Sequence, residues 1–181
     1  LGELHNLRGE HEKAESATRR GLELLEDLRK EASGAREDFC GFMEVTLRAT
    51  LGHLELRRMN LESARSELEA ALSPGRRHGT QQLRALIFNN LGIVYNQLNH
   101  FPRSTSCFRR AERILAAAGE GGSLIHIACN LAIIAAKRGM AERAQEEMGK
   151  AWRLLRQHSG TRLEFFVENS QAVVHHHLGA M

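Results

Sequence analysis

At 181 residues, 42% apolar and 26% charged, the chain is long enough to bury a core and too rich in both classes to be a low-complexity or disordered segment. A formal charge of +3 is a weak basic bias, so no direct nucleic-acid partner is expected. Cys40, Cys107 and Cys129 are too few and too scattered for a disulfide framework, which excludes a stapled secreted domain and fits a reducing, cytoplasmic setting with the thiols as small buried hydrophobes.

In chain order, residues 1–8 read as the tail of one helix and residues 10–30 as its partner, with Leu22, Leu25, Leu28 and Ala32 as an apolar stripe that Ser33-Gly34 ends. Residues 35–58 form a long helix in which Phe39, Phe42, Met43 and Leu47 come first. Asn60 caps a helix over residues 61–72, which Ser73-Pro74-Gly75 terminates, and Arg76 to Gly79 follow as a basic loop. Helices over 81–98 and 101–118 flank a break at Asn99-His100, with Pro102 in the first turn of the second, where its missing N–H costs nothing. Gly119 to Gly122 read as a flexible stop, not a phosphate loop, since they follow a helix and carry no Gly-Lys-Ser/Thr. Ser123 caps residues 124–138, Gly139 makes a tight turn, residues 141–157 return, and Trp152 packs against a last helix over 163–177. The longest apolar run, residues 127–136, is too short to cross a bilayer, so no membrane partner is expected. With no methionine before Leu1 and incomplete units at both ends, the chain reads as a fragment of a larger protein.

These helices repeat. Leu51-Gly52, Leu91-Gly92 and Leu131-Ala132 are spaced by 40 residues, and each is followed by small residues at the same distances: Ala64 and Ala71, Ser104 and Ala111, Ala144 and Ala151. Leu68, Phe108 and Met148 recur between them. Ala172 continues the beat, and Leu1-Gly2, Gly9, Ala14 and Gly21 echo it with an offset of 50. Small residues facing small residues let two helices approach while large ones fill the flanks, and a hairpin with bare outer faces must stack on its neighbours.

On Leu91, Gly92, Tyr95, Phe101, Ser104, Phe108 and Ala111, and more weakly over nearly the whole length, the chain resembles the tetratricopeptide repeat family. Its period exceeds the usual ~34 residues, and Glu55 and Ala135 stand where the central repeat has Tyr95. The longer period resembles repeats of kinesin light chains and of bacterial signalling ATPases and transcription activators. The resemblance implies an all-α fold, a right-handed superhelical stack of antiparallel helix hairpins (an α-solenoid), in one array over 1–181: a partial first repeat at 1–32, repeats at 36–73, 78–118 and 123–157, and a partial fifth at 161–181.

In such a stack the first helix of every pair lines a concave groove. Helical spacing assigns to it Asn89, Asn90, Ile93, Asn96 and Gln97 in the central repeat, with Leu86 above them. Asn130, Ile133 and Lys137 follow in the next repeat with His126 and Cys129 alongside, and His53 and Arg57 precede with Ala49, Thr50 and Leu56. Asn169, with Ser170, Val173, His176 and His177, completes the face. A ladder of Asn90, Asn130 and Asn169 would hydrogen-bond a peptide backbone while Ile93 and Ile133 make apolar contact; groove asparagines of this kind bind peptides in the tetratricopeptide family, which is what the resemblance implies here. The alternative is that they solvate the face or bond between helices. Arg57 and Lys137 favour an acidic segment.

No catalytic set is legible. Aspartate occurs only at Asp27 and Asp38, Gly9-Glu10-His11-Glu12 lacks the second histidine of a zinc helix, and His175 to His177 splay about 100° apart on a helix and so cannot chelate one ion. The expectation is a non-enzymatic module without cofactor or metal, binding a protein or peptide partner or another domain of its own chain. A rival reading is an effector-sensing regulatory domain of a bacterial signalling protein or transcription regulator. A third is self-association through the end helices.

Overall fold

The computed structural model describes residues 2–30, 32–158 and 160–179. Its helices are α1 (Gly2–Arg29), α2 (Ala35–Arg57), α3 (Leu61–Ala70), α4 (Leu72–His78), α5 (Gln81–Gln97), α6 (Phe101–Ala117), α7 (Gly121–Lys137), α8 (Ala141–Gln157) and α9 (Thr161–Leu178); no strand is present among the described residues. Packing divides the chain into two units, Leu1–Val94 and Tyr95–Met181, with the boundary inside α5.

The 40-residue beat is written into the backbone. Met59, Asn99 and Gly139 all take left-handed φ, at 63°, 59° and 70°. In each case the next N–H donates to the carbonyl five residues back: Asn60 to Glu55 at 2.9 Å, His100 to Tyr95 at 2.8 Å and Met140 to Ala135 at 2.9 Å. This is the Schellman closure, which satisfies carbonyls that the helix end leaves open. The carbonyls of Asn60, His100 and Met140 then accept the first bond of the following helix, from Ala64, Ser104 and Ala144 at 2.9, 3.0 and 3.0 Å. Only at position 139 is the residue a glycine, to which left-handed backbone costs nothing.

In the first unit, α2 packs on α1, α3 and α4. Val45, Leu51, Ala64, Leu68 and Ala71 are 0% exposed. Gly52 carries the closest approach: a Cβ built there would lie 2.5 Å from Leu68 Cγ and 3.3 Å from the Ala64 carbonyl oxygen. Charges bind the outer edges. Arg48 donates to Glu44 within α2 at 3.0 Å and to Glu67 of α3 at 3.1 Å, and Arg29 of α1 reaches Glu44 at 2.7 Å. Where the central repeat has Tyr95, Glu55 is 3% exposed; its carboxylate accepts from Arg19 at 3.0 Å and from the Asn60 amide at 2.8 Å. Asn60 thus holds the N-cap position of α3 without capping through its side chain.

In the second unit, α7 is the central element and packs on α6, α8 and α9. Its core gathers Ile125, Ala128, Ala132, Ala144, Ala151 and Val167, each 0% exposed. Ser104 and Ala111 of α6 are 0% exposed and Phe108 is 1% exposed, as the small-large-small pattern predicts. Arg109 of α6 bonds Glu112 at 2.8 Å and also the buried Glu147 of α8, and Lys150 returns to Glu112. Trp152 donates its indole N–H to Gln171 of α9 at 2.7 Å.

Four local expectations are corrected. The chain stays helical through Gly9, so α1 is one helix and not two; the echo at Leu1 lies outside the described residues. Leu28, placed in the apolar stripe, is 63% exposed, as is Phe39 at 61%. Pro74 does not end a helix: α3 closes earlier, at Ala70, and Pro74 lies in the first turn of α4, where its missing N–H costs little, so the chain stays helical through Arg76, Arg77 and His78 and there is no basic loop there. The Gly119 to Gly122 stretch is not a loose stop either. Gly119 takes the left-handed turn at φ 72°, and Gly121, buried against the His158 ring, already belongs to α7.

Candidate functional site

At intervals of 40 residues the proposed face residues form columns in the sequence register. Positions 53, 93, 133 and 173 hold His53, exposed, and Ile93, Ile133 and Val173, half-buried. Positions 57, 97, 137 and 177 hold Arg57, Gln97, Lys137 and His177; all are exposed except Lys137, which is half-buried. Positions 50, 90, 130 and 170 hold Thr50, Asn90, Asn130 and Ser170, all hydrogen-bonding side chains. Register therefore pairs Asn90 and Asn130 with Ser170, one residue beyond the Asn169 of the expected ladder; Asn169 is exposed.

The members of that polar column differ in what they have left to give. Thr50 and Ser170 turn their hydroxyls back onto their own helices, donating to the carbonyls of Thr46 and Phe166 at 2.8 Å each. Asn90 is 3% exposed; its Oδ1 accepts from the Asn89 amide at 3.3 Å while its own Nδ2 has no partner. A buried amide donor left unmade costs about 1–3 kcal/mol, so this group is held at an energetic disadvantage.

In the second unit, Lys137 Nζ donates to the Asn96 carbonyl oxygen at 3.3 Å, which links two of the proposed residues directly. His176 and His177, with rings 5.6 Å apart, stand at the end of α9. Burial, then Lys137 and then His176 push the His177 pKa down. In the first unit, His53 likewise has its pKa lowered by burial, by Arg57 and by His11.

Three side chains assigned to the face are core instead. Cys129 is 0% exposed and Ala49 2%; burial, opposed by a hydrogen bond with Ser170, pushes the Cys129 thiol up to about 11. Ser170 is 3% exposed. Helical spacing misassigned them because α2, α7 and α9 are each packed against more than one neighbouring helix, so the covered arc is wider than a surface helix shows.

His126 is half-buried against the Phe166 ring, with centroids 4.5 Å apart. Burial lowers its pKa from 6.5, a hydrogen bond with the Gly122 backbone opposes this, and Arg162 adds to the lowering. With the folded value below the unfolded one, protonation favours the unfolded chain, so stability is full above about pH 6.5 and is lost as pH falls towards the folded value. Thermal unfolding followed between pH 7.5 and pH 5.5 is expected to show this loss, and His126→Phe to make the curve flatter; equal slopes would contradict it.

Among the described residues no helix is long and apolar enough to cross a membrane, and no three of His, Cys, Asp and Glu meet to hold a metal ion.

Repeated hairpins closed by one kind of turn, with small residues at the contacts, define a tetratricopeptide-like α-solenoid class. Among solved structures, the crystal structure of BtubC (BKLC) from P. vanneervenii is similar, with a TM-score of 0.77 over 99% of this chain and 71% of that one at 22% identity. No family model and no curated protein matches the sequence.

Proposed function

We propose that the chain is a non-catalytic protein-interaction module that takes up a peptide or partner helix, with Asn90 and Ile93 of the first unit and Asn130, Ile133 and Lys137 of the second as the candidate contacts. The reading rests above all on Asn90, a nearly fully buried amide whose donor is unmet. Folding alone favours an apolar residue at such a position, and a ligand carbonyl reaching that donor would recover the lost bond. Half-buried Ile93, one helical turn on, supplies sequence-tolerant contact. Lys137, the cation near His177, favours a carboxylate at one end of the ligand.

Selection from a random peptide library on the immobilised chain tests this. Selected peptides are expected to lose at least tenfold in affinity for Asn90→Leu, while the thermal midpoint of that variant stays level or rises because an unsatisfied donor has been removed. A marked fall in the midpoint would assign Asn90 to structure alone, and unchanged affinity would move the binding surface elsewhere.

A further inference from the structure

Two sites, one in each unit, correspond residue by residue. Thr18 and Leu25 of α1 are buried as Phe108 and Leu115 of α6 are, and Val45, Leu51 and Glu55 of α2 as Ile125, Leu131 and Ala135 of α7 are. Helix α1 packs on α2, and α6 packs on α7. In this register Glu15, Arg19 and Arg58 of the first unit stand where the second has Thr105, Arg109 and Arg138, and Asn60 stands where it has Met140.

In the first unit the charges are matched. Arg19 pairs with Glu15 at 2.9 Å and with Glu55 at 3.0 Å, Arg58 pairs with Glu15, and the Asn60 amide donates to the other oxygen of Glu55 at 2.8 Å. The second unit keeps both arginines and loses both carboxylates and the amide. Glu147 reaches from α8 to pair with Arg109, but its buried Oε2 has no donor, and Arg138 and Arg143, both exposed, form no ion pair among the described residues. These four side chains line one crevice of about 10 Å³ together with Thr105 and Ala135, which leaves room for a single group the size of a water molecule or an ammonium.

We propose that this crevice binds a small zwitterion, an amine and a carboxylate carried on one carbon as in a free α-amino acid. The ammonium enters the crevice and donates to Glu147 Oε2, in the role that the Asn60 amide plays for Glu55. The carboxylate stays at the mouth with Arg138 and Arg143, in the role that Glu15 plays for Arg58, where guanidinium forks suit its two oxygens. A simple anion brings no donor to Glu147 and meets its negative charge, while a simple cation meets the excess of arginine. A ligand carrying both charges answers both unmet groups and adds no net charge.

Calorimetric titration of the full chain with glycine, the smallest such zwitterion, tests this. Saturable binding of one glycine per chain is expected, with acetate and glycinamide, which each lack one of the two charges, weaker by about tenfold or more. Arg138→Gln, a change at an exposed side chain, should lose glycine binding to the same degree while its thermal midpoint stays level. Thr105→Glu restores the carboxylate that Glu15 provides in the first unit, so it should raise the midpoint and abolish glycine binding. Heat that does not saturate, acetate or glycinamide binding as tightly as glycine, or undiminished binding by Arg138→Gln overturns the proposal. So does a folded Thr105→Glu chain that binds glycine as the wild type does.

Discussion

Gly52→Leu is expected to unfold the α2–α3 hairpin, at a cost above about 3 kcal/mol. The Cβ alone falls 2.5 Å from Leu68 Cγ and 2.9 Å from its Cδ2, and Leu68, 0% exposed, has nowhere to retreat. Overpacking a rigid interior ordinarily costs about 1–3 kcal/mol, and here backbone also obstructs, through the Ala64 carbonyl at 3.3 Å. Gly52→Ala should cost less, since it regains about 1 kcal/mol of helix propensity. Urea unfolding of Gly52→Leu, Leu68→Ala and the double variant forms a cycle: the double variant should be more stable than the sum of the singles predicts, because the truncated leucine vacates the volume that the new one needs. Additivity would mean that the two residues do not meet.

The second large effect falls on Arg109. Its guanidinium bridges Glu112 and Glu147, and the Glu147 side chain is 6% exposed with one carboxylate oxygen already lacking a partner. Arg109→Met keeps most of the apolar stem and removes the charge, leaving a buried carboxylate uncompensated. Breaking such a pair costs about 3–5 kcal/mol; the Arg109 side chain is 33% exposed, so the lower end of that range applies. Adding Glu147→Leu should restore most of the loss, since replacing both partners with apolar groups is often close to neutral. If Arg109→Met alone were harmless by chemical denaturation, water would have to reach Glu147 freely.

What could be read from the sequence follows from which forces are local. The beat of Gly52, Gly92 and Ala132 was legible because close helix approach tolerates few residue types, and the hairpin turn at Gly139 because glycine announces left-handed backbone. Met59 and Asn99 adopt the same turn without that announcement, and only their spacing from Gly139 gives them away. Gly9 and Pro74 misled for the opposite reason. A single breaker shifts a helix by about 1–3 kcal/mol, which flanking contacts offset, so α1 runs through Gly9, while Pro74 falls in the first turn of α4, where a proline is tolerated. The buried carboxylates Glu55 and Glu147 were illegible because a glutamate on a helix looks alike whether it meets solvent or an arginine far along the chain; their partners stand 36 and 38 residues away. Among the candidate face residues, the sequence distinguished the polar column from the apolar one, but not which amide keeps an unused donor, since that depends on depth.

The turns that close after Arg58, Leu98 and Arg138 have a mechanical corollary. Each is clamped by a hydrogen bond of 2.8 or 2.9 Å spanning five residues, and each hands its last free carbonyl straight to the next helix, so no slack peptide remains inside a hairpin. Paired helices joined this way deform as one stiff element, and compliance under load is pushed out to the contacts made by side chains alone. Elasticity in this chain would then be set by the fit of alanine, glycine and leucine faces, not by the stretching of loops.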